Sequence, residues 1–212
     1  MKIIIVDYGI GNVFSVCSAL KTLGLDFELT SDHQKILQAD KVILPGVGAF
    51  QKAMDNLILY GLDEVLREYV KKGNYFLGIC VGMQVLLSTG EEGGNHRGLD
   101  LIPGRVEHIN KSQLAKSNLK IPHIAWSKLN LIQCPDQYNF IRDFSSNPTD
   151  LMYFVHSFHS VPLNSANLIA TCDYAKLTLS AVIGHENILG TQFHPEKSGK
   201  VGLSFLSKWS SL

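Results

Sequence analysis

The chain has 212 residues, a length that suits one domain of moderate size with a self-sufficient core, and the whole of 1–212 reads as a single domain. Lysine plus arginine and aspartate plus glutamate number 19 each, so no overall field draws the protein to nucleic acid or to an anionic membrane. Its partners must be chosen by shape and local chemistry.

The opening MKIIIVDYGIGN holds an apolar run of only four residues before an acid and two glycines. That is too short for a signal or membrane segment, so a cytoplasmic protein is expected. The four cysteines, Cys17, Cys80, Cys134 and Cys172, lie far apart without CxxC pairing, which argues against a zinc knuckle and a disulfide framework.

In chain order, KIIIV (2–6), VFSVCSALKTL (13–23), LDFEL (25–29) and KVILP (41–45) alternate strand-like and amphipathic patterns. That rhythm predicts a parallel sheet flanked by helices. Gly24 is placed to close the first helix. Residues 50–72 carry two helical patterns hinged near Tyr60 and Gly61, ahead of the strand YFLGI (75–79). After Pro103 the runs become short and strand-like: RVEHI, HIAWSKL, LMYFVHSFHSV, LIATC, LSAVI and ILGTQF. The fold class expected is therefore α/β, an open and mostly parallel sheet with a mixed or antiparallel sheet added in the second half. The tail VGLSFLSKW (201–209) has helical spacing and is expected to pack on that added sheet.

Three segments carry candidate chemistry, each at the end of a predicted strand, the side of an open α/β sheet where ligands bind. GICVGMQ (78–84) has glycines around a central cysteine, which permit a sharp strand-to-helix turn that exposes Cys80. The following amide, on Val81, can then face a developing oxyanion, and the helix N-terminus favours the thiolate. A buried structural cysteine is an equally good reading of this short motif alone. TQFHPEKS (191–198) supplies His194 as a base and Glu196 to hold its other nitrogen, with Pro195 keeping the pair out of a helix. Taken alone, it also fits a surface turn. LPGVGAF (44–50) places Gly46, Val47 and Gly48 where backbone amides can serve as a second oxyanion donor, or simply make a turn.

Together these motifs resemble the class I (triad) glutamine amidotransferases, whose GxCxGxQ elbow and closing histidine and glutamate match GICVGMQ and FHPE. The resemblance implies that Cys80 attacks the amide of L-glutamine to form a glutamyl thioester. It also implies that Gln84, Val81 and the Gly46–Gly48 loop lie in or beside the substrate pocket, and that no cofactor is needed. More narrowly, DYGIGN (7–12), LPGVGAF, GICVGMQ, IPHIAW (121–126), YFVHSF (153–158) and TQFHPEKS are similar, in order, to the glutaminase subunits of imidazole glycerol phosphate synthases. In that branch the glutaminase forms a heterodimer with a TIM-barrel cyclase that consumes the ammonia in histidine biosynthesis. Asn12, Trp126 and Lys197 would then face the partner. Ala125 and Ser127 depart from that branch's usual glycine and asparagine, which keeps open a paralogue feeding a sugar-amidating synthase in surface-polysaccharide synthesis. A thiol hydrolase acting on another substrate, or an inactive interaction module, are the readings of a different kind.

DYGIGN fails as a dinucleotide loop because Phe14 stands at the third glycine position. His123, His156 and His159 lack a carboxylate or cysteine at ligand spacing, so no metal is expected. Cys17 and Cys172 sit in apolar patterns and read as core, while Cys134 has no visible role.

Overall fold

The computed structural model describes residues 1–109 and 120–212. Its strands are β1 (Ile3–Val6), β2 (Phe27–Thr30), β3 (Lys41–Gly46), β4 (Tyr75–Cys80), β5 (Leu87–Gly90), β6 (His96–Arg97), β7 (Ile102–His108), β8 (His123–Lys128), β9 (Asn130–Leu131), β10 (Leu151–His156), β11 (Phe158–Pro162), β12 (Leu168–Tyr174), β13 (Leu177–His185) and β14 (Ile188–Thr191). The helices are α1 (Val13–Thr22), α2 (His33–Leu37), α3 (Phe50–Leu59), α4 (Leu62–Lys71), α5 (Val81–Gln84), α6 (Ile141–Ser146) and α7 (Gly199–Ser210), none of them long and apolar enough to cross a membrane.

β1 and β3 are buried at every position, as strands must be when helices cover both faces of a parallel sheet. α4 turns Leu62, Val65, Leu66, Tyr69 and Val70 inward at helical spacing and leaves its charged residues outside. Between α3 and α4, Gly61 adopts φ +64°, a left-handed conformation that ends one helix and starts the next at the expected hinge. Gly24 does the same after α1, at φ +67°.

Among the described residues the main sheet has eight strands in the order β2-β1-β3-β4-β14-β13-β12-β9. β2, β1, β3, β4 and β14 run parallel, and β13, β12 and β9 continue the same sheet antiparallel. Much of the second half therefore extends the parallel core instead of forming a separate layer. The remaining strands make a β10-β8 pair and a four-stranded sheet, β11-β7-β5-β6.

The run 151–161, read as one strand, is two: it breaks at Ser157, so β10 pairs with β8 while β11 pairs with β7. The tail helix α7 also differs from expectation. Trp209, at its end, lies with Tyr75 about the Lys41 ammonium, at the starts of β3 and β4, and Phe205 packs on Phe193. It therefore covers the parallel core, because its largest apolar side chains find their burial there.

β4 lies between β3 and β14, and the register places Gly46 opposite Cys80 and Thr191 opposite Ile79. The PGVG loop, the cysteine elbow and the residues after β14 thus emerge at one edge.

Candidate active site

Cys80 ends β4 at φ 57°, ψ −110°, a conformation strained for any side chain, before the single turn of α5. Close packing enforces it. A Cβ on Gly78 would come within 2.5 Å of the Gly82 carbonyl oxygen, one on Gly82 within 1.9 Å of the Leu44 oxygen, and one on Gly46 within 2.6 Å of the Gly82 nitrogen. Because α5 is only one turn long, the dipole help expected from the following helix is correspondingly small.

A cleft of about 450 Å³ opens over the elbow. Val47, Gly48, Cys80, Val81, Gln84 and His194 line it, six of the residues singled out from sequence. Gly46 lies just behind, packed against Tyr8 and Gly82. Glu196 stands on the far side of His194, where its Oε1 accepts from Nδ1 at 2.8 Å; both side chains are almost fully buried. Because Nδ1 donates to the carboxylate, Nε2 is the nitrogen left toward the cleft. It has no completed hydrogen bond among the described residues, and the Cys80 sulfur lies near enough to act on it. Burial alone would lower the pKa of the imidazole, but the pull of Cys80 and Glu196 outweighs it and holds His194 above its ordinary range. Imidazole and carboxylate are thus hydrogen-bonded to each other with the sulfur beside them, a set of groups chemically suited to deprotonating a thiol and returning the proton to a leaving group.

The candidate partner-facing residues lie apart from these groups. Trp126 is half exposed against Tyr153, Lys197 is exposed beyond Glu196, and Asn12 caps α1 without a side-chain bond.

Sequence reading missed three features of the site. Glu92, on the loop after β5, lines the cleft and its Oε2 accepts from the Phe50 amide at 2.8 Å, capping α3. Gln192 donates from Nε2 to the Cys80 sulfur at 3.7 Å; its spacing of two from His194 on a strand-like run was the available signal. His156, set aside as a metal ligand, also lines the cleft and joins His123 through Nε2 and Nδ1 at 3.0 Å.

Both of these imidazoles sit well below their ordinary pKa, His123 at about 4 and His156 at about 3, chiefly because burial disfavours the cation. The unfolded chain therefore binds protons that the native state refuses. The associated stability is intact above about pH 6.5 and is lost as pH falls toward 4 and then 3. Within that window the unfolding free energy is expected to drop by on the order of 1.4 kcal/mol per pH unit per histidine. Urea titrations at about pH 7 and about pH 5.5 read this; the idea fails if a His123→Asn/His156→Asn variant loses as much stability as the wild type.

Comparison with known proteins gives a consistent picture. Residues 4–209 match the family described as "Glutamine amidotransferase class-I". The chain is similar to the imidazole glycerol phosphate synthase subunit HisH of Geobacter sulfurreducens, 39% identical over 100% of this chain and 99% of that one. It is similar also to subunit HisH of Syntrophotalea carbinolica, 38% identical over 99% of this chain and 100% of the other. Among solved structures, PurLQS from Thermotoga maritima shares the fold with a TM-score of 0.71 at 16% identity, over 99% of this chain and 97% of that one. A crystal structure of a glutamine amidotransferase does so with a TM-score of 0.68 at 17% identity, over 98% of each chain.

Proposed function

The chain belongs to the class I glutamine amidotransferase family, and on that premise we propose that it is the glutaminase subunit of an imidazole glycerol phosphate synthase, acting in the cytoplasm as one domain docked on a TIM-barrel cyclase. The observation that carries this reading is the convergence of Cys80 and His194 on one cleft, with Glu196 bonded to His194 from behind, in a chain about 40% identical over nearly its full length to HisH subunits. The Cys80 thiolate attacks the glutamine amide, and amides of Val81 and the Val47–Gly48 loop face the oxyanion. His194 then protonates the leaving ammonia, and water resolves the thioester. Glu92, the carboxylate in the cleft, suits the ammonium of the substrate. Ammonia must pass to the cyclase under shelter, because water would protonate it and remove its nucleophilicity.

The test is glutamate release from glutamine by the purified chain, alone and with a ligand-loaded barrel cyclase, alongside formation of imidazole glycerol phosphate. Release without imidazole product would favour the sugar-amidating paralogue; no release in either arm would defeat the reading. Within it, Glu196→Gln removes the charge that stabilises the His194 cation, so the imidazole pKa falls. The alkaline limb of glutamate release should then move to lower pH and the rate should fall by roughly 10²- to 10⁴-fold. A pH–rate profile with its alkaline limb unmoved would show that the carboxylate has no such role.

A further inference from the structure

Gln84, Gln192 and the carbonyl of Phe158 form a hydrogen-bond network whose polarity can be worked out from one fixed point. A backbone carbonyl only accepts. Phe158 O accepts from Gln84 Nε2 at 3.1 Å and from His156 Nδ1 at 2.8 Å. The Gln84 amide is thereby oriented with its nitrogen toward β11, and that same nitrogen donates to Gln192 Oε1 at 3.0 Å. With its oxygen so occupied, Gln192 must present Nε2 to the Cys80 sulfur, 3.7 Å away. On the other branch, His156 carries its proton on Nδ1, so its Nε2 accepts from His123 Nδ1 at 3.0 Å, and His123 Nε2 in turn accepts from Ser127 Oγ at 3.1 Å. Gln84, Gln192 and His156 are all buried, which leaves water little room to reverse any of these bonds.

The network is no proton wire, since a carbonyl at its centre has no proton to pass on. What it fixes is a donor. From this arrangement we propose that Gln192 is a further catalytic residue, whose side-chain N–H stabilises the Cys80 thiolate, with Gln84 and Phe158 O as the positioning groups that keep its amide from flipping. The proposal rests on the reading of Cys80 as the nucleophile and adds a donor to the sulfur where the one-turn α5 supplies little. An N–H aimed at an anion favours the anion, so Gln192 is placed to stabilise the sulfur when it carries charge. The ionisable groups around the sulfur are Tyr8 after β1, His194 and Glu196 after β14, His156 on β10 and Glu92 after β5. None of them is changed by a substitution at position 192.

The pH dependence of Cys80 alkylation by iodoacetamide, followed on its own peptide by mass spectrometry, tests this without requiring glutamine turnover. In Gln192→Met, which keeps the volume and removes the donor, the alkylation midpoint is expected to rise by about one pH unit, a tenfold loss of thiolate. Gln84→Met, which frees the Gln192 amide to turn, should shift it the same way, whereas His156→Asn, able to donate to Phe158 O in place of Nδ1, should leave it within about 0.3 unit. In the wild type, the Gln192 side-chain amide resonance should move through the same midpoint as the thiol titrates. A midpoint unchanged in a natively folded Gln192→Met, or an amide resonance indifferent to the thiol, overturns the proposal. Absence of wild-type glutamate release would instead count against the glutaminase reading and leave the alkylation result to stand for itself.

Discussion

Cys80→Ala is expected to lower glutamate release by at least about 10³-fold while leaving the fold in place. The reaction needs the sulfur to form and break a covalent bond, and no other cysteine lines the cleft. Cys17 and Cys134 are half-buried elsewhere and Cys172 is buried in β12. Stability should change little, because alanine keeps the Cβ in the same strained conformation at φ 57°. Cys80→Gly separates strain from chemistry: it should be equally inactive yet more stable than Cys80→Ala by about 1 kcal/mol, since glycine occupies that backbone region at less cost. Steady-state glutamate release and urea unfolding of both variants measure the two effects. If the alanine variant keeps activity within about tenfold of wild type, covalent catalysis at this sulfur is wrong.

How far the structure was legible beforehand depended on how local each constraint was. β1, β3 and β4 could be read because short, largely apolar runs belong to strands buried on both faces, and the α3–α4 hinge because a glycine interrupts two amphipathic patterns. α2 and α6 are too short to show a period; α2 rests largely on its Asp32 cap, a bond from the Lys35 amide at 3.0 Å. The break at Ser157 had no glycine or proline to announce it, and which sheet each half joins is decided by β7 and β8, far away in sequence.

The site divides along the same line. Cys80, His194 and Glu196 carry local signatures, since the elbow needs flanking glycines and the imidazole needs a carboxylate two residues on. Glu92 belongs to a loop without any motif, and enters the cleft only because β5 pairs in a separate sheet and the loop returns to cap α3. For Gln192 the spacing from His194 could mark the residue but not the orientation of its amide, which follows from a carbonyl on β11 and a glutamine on α5 that folding alone brings together.

That same dependence on close approach makes Gly82→Ala a severely damaging conservative change at the site. A Cβ there would stand 1.9 Å from the Leu44 oxygen and 2.9 Å from its carbonyl carbon, both backbone atoms of β3. No rotamer relieves a Cβ, whose position the backbone dictates, so α5 and β3 must separate. Separation pulls Gly46 away from Cys80, its register partner, and with it the PGVG loop from the elbow. The expected cost is at least about 3 kcal/mol, above the usual range for overpacking because the obstacle is main chain. Gly24→Ala is the control: its φ of +67° is unfavourable for alanine, but nothing lies within 4 Å of the new methyl, so only about 1 kcal/mol should be lost. Urea unfolding of the two variants therefore distinguishes conformational strain from collision. Equal losses would mean that the contact between elbow and β3 yields easily, and that the geometry of Cys80 must be held by something other than the packing beneath it.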